Sequence, residues 1–132
     1  MKFIGPPTVA IEAMGDKIES KKLALKAKVN TVPGYVGEVH DLKEALKIAN
    51  EIGYPIMVKA SAGGGGKGMR IAYNDKEAEE GFRLSKDEAI SSFGDGRLFI
   101  EKYIEAPRHI EYQILGDEHG NYVYMPEREC SV

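Results

Sequence analysis

Lys59 stands inside an apolar run, Ile56-Met-Val-Lys-Ala60, and a glycine-rich stretch, Gly63-Gly-Gly-Gly-Lys-Gly68, follows almost at once. A second apolar run, Met69 to Tyr73, comes straight after it. Successive glycines let backbone N–H groups approach an anion with no Cβ in the way. The ammonium groups of Lys59 and Lys67 add positive charge. This combination suits nucleotide phosphates, with the loop acting as a lid. The alternatives are a mobile hairpin without a ligand and a Lys59 that snorkels to solvent. Two familiar phosphate patterns do not fit. Gly63-x-Gly65-x-x-Gly68 would need a helix after it to be a dinucleotide fingerprint, and Met69 to Tyr73 reads as strand. Gly66-Lys67 is followed by Gly68 where a P-loop needs Ser or Thr. A glycine loop between adjacent strands is instead the geometry of a flap over phosphates.

Period-2 alternation puts Lys59 and Met57 on one face of their strand and Ile56, Val58 and Ala60 on the other. In Leu98-Phe-Ile-Glu-Lys-Tyr-Ile104, Glu101 and Lys102 fall near a strand end, before a break at Ala106-Pro107. Backbone groups of Lys102 to Ile104 exposed there would suit an adenine hinge; an ordinary interdomain linker is the alternative. His109, Glu111 and Gln113 alternate on one face of a further strand, which reads first as a wet face. Lys17, Lys21, Lys22, Lys26 and Lys28 read mainly as a solvated helix face.

These residues need elements to hold them. A short helix is expected over Thr8 to Met14, after a strand end at Phe3-Ile4. Asp16 is a possible N-cap for a helix over Lys17 to Lys28, and Thr31 to Gly37 reads as loop. Asp41-Leu-Lys-Glu44 resembles a capping box. Leu42, Ala45, Leu46, Ala49 and Ile52 then follow helical spacing up to Gly53. Strands over Ile56 to Ala60 and Met69 to Tyr73 enclose the glycine loop. Asn74-Asp75 caps a helix from about Lys76 to Ser91, and Leu98 to Ile104 is strand. Arg108 to Leu115 and Asn121 to Met125 form a hairpin about Asp117-Glu-His-Gly120. The fold class is α+β: a small mixed or antiparallel sheet with two helices, flanked by partial segments of neighbouring domains.

The chain has 132 residues, 42% hydrophobic and 30% charged, with a net charge of −3. It can bury a core, and its weak acidity argues against a nucleic-acid surface. No apolar run approaches the roughly 20 residues of a membrane span. Cys130 is the single cysteine, so no intrachain disulfide forms; it is expected to pack passively. His40, His109 and His119 are scattered, and no zinc motif occurs.

Together, Met14-Gly-Asp-Lys17, Val32-Pro-Gly34, Val58-Lys-Ala-Ser61, Gly63 through Arg70, Ile100-Glu-Lys-Tyr103, Pro107-Arg-His109 and Glu127-Arg-Glu-Cys-Ser131 resemble the biotin carboxylase family of ATP-grasp enzymes. Gly15 to Lys21, Ser61 to Lys67, Gly81 to Ser85 and Ser91 to Asp95 are most similar to its propionyl-CoA-directed branch. The resemblance implies a ligase in which bicarbonate attacks the γ-phosphate of Mg-ATP. The resulting carboxyphosphate yields CO2, which the ureido nitrogen of carrier-bound biotin captures. By matching position, Lys17 and Lys59 contact ATP phosphates, and Gly64, Gly65 and Gly66 close over them. Met69 lines the adenine pocket, Glu101, Lys102 and Ile104 form the hinge, and His109 faces the ribose–phosphate region. The resemblance divides the chain into residues 1–32, ending the N-terminal domain, 33–103, the lid, and 104–132, the start of the C-terminal subdomain. The family's magnesium-binding glutamates lie further on than Val132, so this stretch by itself is expected not to catalyse carboxylation. Its partners would be ATP, bicarbonate, biotin, the rest of the biotin carboxylase domain and a carboxyltransferase subunit, in bacterial cytoplasm or mitochondrial matrix. A non-catalytic nucleotide- or phosphate-binding module and a purely structural fragment are the rival readings.

Overall fold

A computed structural model describes residues 3–62, 64 and 66–131. Gly63 and Gly65, expected in the glycine loop, lie outside these residues. Two helices open the chain, α1 (Thr8–Gly15) and α2 (Lys17–Lys26). Then come α3 (Leu42–Ile52), β1 (Ile56–Ala60), β2 (Met69–Ala72), α4 (Asp75–Phe93) and β3 (Leu98–Lys102). The last part holds β4 (Ile110–Glu111), β5 (Ile114–Gly116), β6 (Tyr122–Tyr124) and β7 (Arg128–Glu129).

Helix starts are set by side chains that satisfy orphan N–H groups. The Asp16 carboxylate accepts from the N–H groups of Ile18 and Glu19, Asp41 from Glu44, and Asn74 from Glu77. Glu44 reaches back to the His40 N–H, one residue before the Asp41 N–H that a capping box would use. The first strand expected, at Phe3-Ile4, does not form, and α2 stops at Lys26 rather than Lys28.

The sheet order is β2-β1-β3, antiparallel throughout. Its Ile56, Val58, Ala60, Ala72, Leu98 and Ile100 side chains form one core with Ala45, Ile48 and Ala49 of α3 and Ala78, Phe82 and Ala89 of α4. Two helices thus cover one face, as alternation along β1 requires. The opposite face, carrying Lys59, Phe99 and Glu101, meets α2.

Thr31 to Gly37 is not a free loop. Lys102 donates its N–H to the Pro33 carbonyl at 2.7 Å, and Tyr35 donates to the Ile100 carbonyl at 3.0 Å. Gly34 bridges Glu101, and Val39 bridges Leu98, so this segment edges β3 as a broken fourth strand. A Cβ on Gly34 would lie 2.6 Å from the Glu101 Cα. Only glycine permits that approach.

The expected strand over Arg108 to Leu115 divides. Ile110 pairs with Glu129 and Glu111 with Arg128, whereas Ile114 pairs with Tyr124. Between the ladders two residues, Tyr112 and Gln113, face three, Met125 to Glu127. The extra residue makes a bulge at Pro126, which has no N–H to give a ladder. The Asp117 turn forms as expected, its carboxylate accepting from the His119 and Asn121 N–H groups.

Candidate functional site

Antiparallel register sets Lys59 opposite Met69 on one side and Phe99 on the other, while Met57 faces Glu101. Directly paired residues share a face, so Lys59, Met69, Phe99 and Glu101 all project away from the α3–α4 core. The Lys59 ammonium reaches diagonally to Glu101 Oε1. From α2, Lys21 Nζ reaches Glu101 Oε2 at 3.2 Å and sits 6.0 Å from the centre of the Phe99 ring. Lys21 and Glu101 are each only 9% exposed. A buried carboxylate is tolerable here because two ammonium groups flank it.

These groups line a cleft of about 320 Å³, together with Lys17, Ser20, Thr31, Val32 and Phe99. Three lysines to one glutamate make its lining electropositive. Burial and the neighbouring Lys59 charge hold the Lys17 pKa below its ordinary value, with Asp16 pulling the other way.

Asp16 ties this cleft to the base of the glycine loop. Its carboxylate accepts from the Ser61 hydroxyl at 2.8 Å and meets Arg97 Nη2 at 2.8 Å. The Lys17 N–H donates to the Ser61 carbonyl at 3.3 Å. Burial alone would raise the Asp16 pKa, but hydrogen bonds from Glu19 N–H, Ser61 and Arg97 outweigh it and hold the carboxyl low. The loop closes where Ala60 N–H donates to the Gly68 carbonyl at 2.8 Å. Gly68 has φ of +67°, and a Cβ there would lie 2.7 Å from that of Ala60. Gly64, Gly66 and Lys67 are exposed.

Lys17, Lys59 and Glu101 therefore come together, with Met69 beside Lys59 in the ladder. In the stretch expected as a hinge, most backbone donors are engaged. Lys102 N–H is engaged with Pro33, and Tyr103 N–H donates to the Pro55 carbonyl at 3.1 Å. Lys102 Nζ donates to the Gly53 and Tyr54 carbonyls at 3.0 and 2.7 Å, closing the end of α3. The Ile104 N–H is left as the donor of that stretch, since it has no partner among the described residues.

His109 precedes β4 rather than lying within a strand, and it is exposed. Its N–H donates to the Ser131 hydroxyl and its carbonyl accepts from Cys130, so its bonds stay inside the hairpin. Gln113 falls between the two ladders, opposite the bulge, and its side-chain amide donates to the Ile114 carbonyl. Cys130 is exposed rather than packed. Sequence reasoning missed Lys21 and Arg97. Lys21 lies four residues from Lys17 and so shares its helix face, a signal that the surrounding lysines obscured. Arg97 is held locally by the Asp95 carboxylate, but its Asp16 partner is distant in the chain.

A three-stranded antiparallel sheet, backed by two helices and closed by a glycine loop beside a lysine cleft, defines an ATP-grasp lid. The family model for the carbamoyl-phosphate synthase L chain, ATP binding domain, matches residues 16–132, and the chain belongs to that family. It is 67% identical over 130 residues to the propionyl-CoA carboxylase alpha chain of Ruegeria pomeroyi, covering 98% of this chain and 19% of that protein. The human mitochondrial propionyl-CoA carboxylase alpha chain is 68% identical, with 98% and 18% covered. The chain thus spans under a fifth of the length of these relatives. Its fold matches the biotin carboxylase domain of Hydrogenobacter thermophilus 2-oxoglutarate carboxylase, solved with MgADP, ADP and bicarbonate, at a TM-score of 0.95. Identity there is 51%, covering 100% of this chain and 29% of that one. Campylobacter jejuni biotin carboxylase, in a β-γ-ATP complex, matches at 0.94 with 45% identity, covering 98% and 29%.

Proposed function

We propose that this chain is the nucleotide-closing portion of a biotin carboxylase that uses ATP and bicarbonate to carboxylate biotin, within an acyl-CoA carboxylase whose acceptor is propionyl-CoA. The observation that carries this reading is the electropositive cleft of Lys17, Lys21 and Lys59 beside the glycine loop. The similarity to propionyl-CoA carboxylase alpha chains supports the acceptor.

In this reading Lys17 and Lys59 hold ATP phosphate oxygens, and Gly64, Gly65 and Gly66 close over them. Preorganised ammonium and N–H donors offset the charge that spreads over the transferring phosphoryl group. Met69 packs on adenine, Ile104 supplies the backbone N–H, and Glu101, whose own backbone pairs with Met57 in the ladder, borders the hinge. Lys102 serves the hinge through its backbone carbonyl, its N–H being engaged with Pro33 and its ammonium with the Gly53 and Tyr54 carbonyls. His109 joins the ribose–phosphate region only when the hairpin is brought against the lid. Residues 33–103 form the lid, 1–32 the end of the preceding domain and 104–132 the start of the following one. Among the described residues no three His, Cys, Asp or Glu side chains converge. Carboxyltransferase and biotin-carrier partners belong to the parent enzyme, whose relatives include a bacterial and several mitochondrial proteins.

Calorimetric titration of ATP into the chain tests the reading. Weak binding is expected, with amide shifts at Gly64, Gly66 and Gly68. Lys59→Ala removes one charged hydrogen-bond donor, worth about 1.5–3 kcal/mol. Unchanged affinity in that variant would remove the nucleotide from this cleft.

A further inference from the structure

Among the described residues lining the cleft Glu101 is the one anion, and the Lys59 ammonium lies against it. A lysine that is to hold a phosphate must first release that carboxylate. Released alone, a carboxylate at 9% exposure would be left without a counter-charge, which is costly. Lys21 changes this balance. It occupies the other oxygen of the same carboxylate, comes from a different element, and is itself buried over Phe99.

We propose that Lys21 is a positioning residue for nucleotide binding: it remains on Glu101 Oε2 so that Lys59 can exchange Glu101 Oε1 for a phosphate oxygen. Lys21 need not touch the nucleotide. No bond is made or broken covalently; one ion pair is traded for another while Glu101 stays compensated. This rests on the nucleotide reading above.

The test is ATP affinity, by calorimetry in the presence of magnesium, across a set of variants with apo thermal melts alongside. Lys21→Met should bind ATP about tenfold or more weakly, because Lys59 is then held by Glu101. Lys21→Arg should bind like the unsubstituted chain. Lys21→Met combined with Glu101→Gln should recover affinity, because no charge remains to retain Lys59. A merely structural role for Lys21 would not produce that recovery. Should Lys21→Met melt below the assay temperature, Lys21→Gln, which keeps a hydrogen-bond donor without the charge, takes its place. Undiminished affinity in the single variant overturns the proposal, as does a double variant as weak as the single one. If ATP binds and Lys59→Ala weakens it, those outcomes overturn this inference alone. If the unsubstituted chain does not bind, or Lys59→Ala is neutral, the nucleotide reading falls with it.

Discussion

Asp16 shows how one side chain can serve a helix, a loop and a cleft together. It caps α2, receives the Ser61 hydroxyl at the end of β1 and meets Arg97 before β3. Asp16→Ala should cost about 1–2 kcal/mol near neutral pH, read as a shift in denaturant midpoint. Because its folded pKa is depressed, this contribution is complete above the ordinary carboxylate range of about 3.9. It is lost as pH falls through the lower folded value. The difference between the two proteins should therefore shrink in acid. Lys17 carries the opposite dependence. Its pKa is held down by burial and by Lys59, whereas a bound phosphate favours the protonated amine. ATP affinity should fall as pH rises past the free-state Lys17 pKa, with proton uptake on binding. Calorimetry in buffers of different ionisation enthalpy measures that uptake.

At the scale of elements, glycines at close approaches govern how the site is held. Gly34 lets the segment before α3 lie on β3, and two backbone hydrogen bonds depend on that contact. Gly34→Ala should lift the segment away and cost about 2–3 kcal/mol, seen in urea unfolding. Gly68→Ala combines a left-handed backbone with a clash against Ala60. It should lose about 1–2 kcal/mol from the backbone term alone, with faster amide exchange at Ala60. The strands of the lid were legible because alternation and flanking glycines agree. The division of the last hairpin was less so, because a single proline on one strand changes pairing on both.

Taken whole, the molecule is uneven. The core draws on residues between Val39 and Ile100. The hairpin beyond leaves Ile114, Tyr122, Val123 and Tyr124 exposed at 61%, 75%, 59% and 79%. Alternate residues of β6 are thus open on both faces, and a two-stranded ladder has little stability of its own. Hydrogen exchange should be fast at β5 and β6 and slowest at Val58 and Phe99, whose amides face neighbouring strands inside the buried sheet. Equal protection in the two regions would contradict this division. Among the described residues no helix is long and apolar enough to cross a membrane.

Local signals alone located the helices, the two strands about the glycine loop and the lysine before it. Each rests on periodicity, on a capping residue or on the freedom of consecutive glycines, and the similarity of several short motifs supplied the ATP-grasp resemblance. Tertiary structure decided the rest: that Lys21 is buried, that Glu101 stands between two ammonium groups, and that Lys102 spends its donors on neighbouring backbone. These depend on which face of β3 meets α2 and which segment edges the sheet. Such pairings join residues dozens of positions apart, and no periodicity within one segment encodes them.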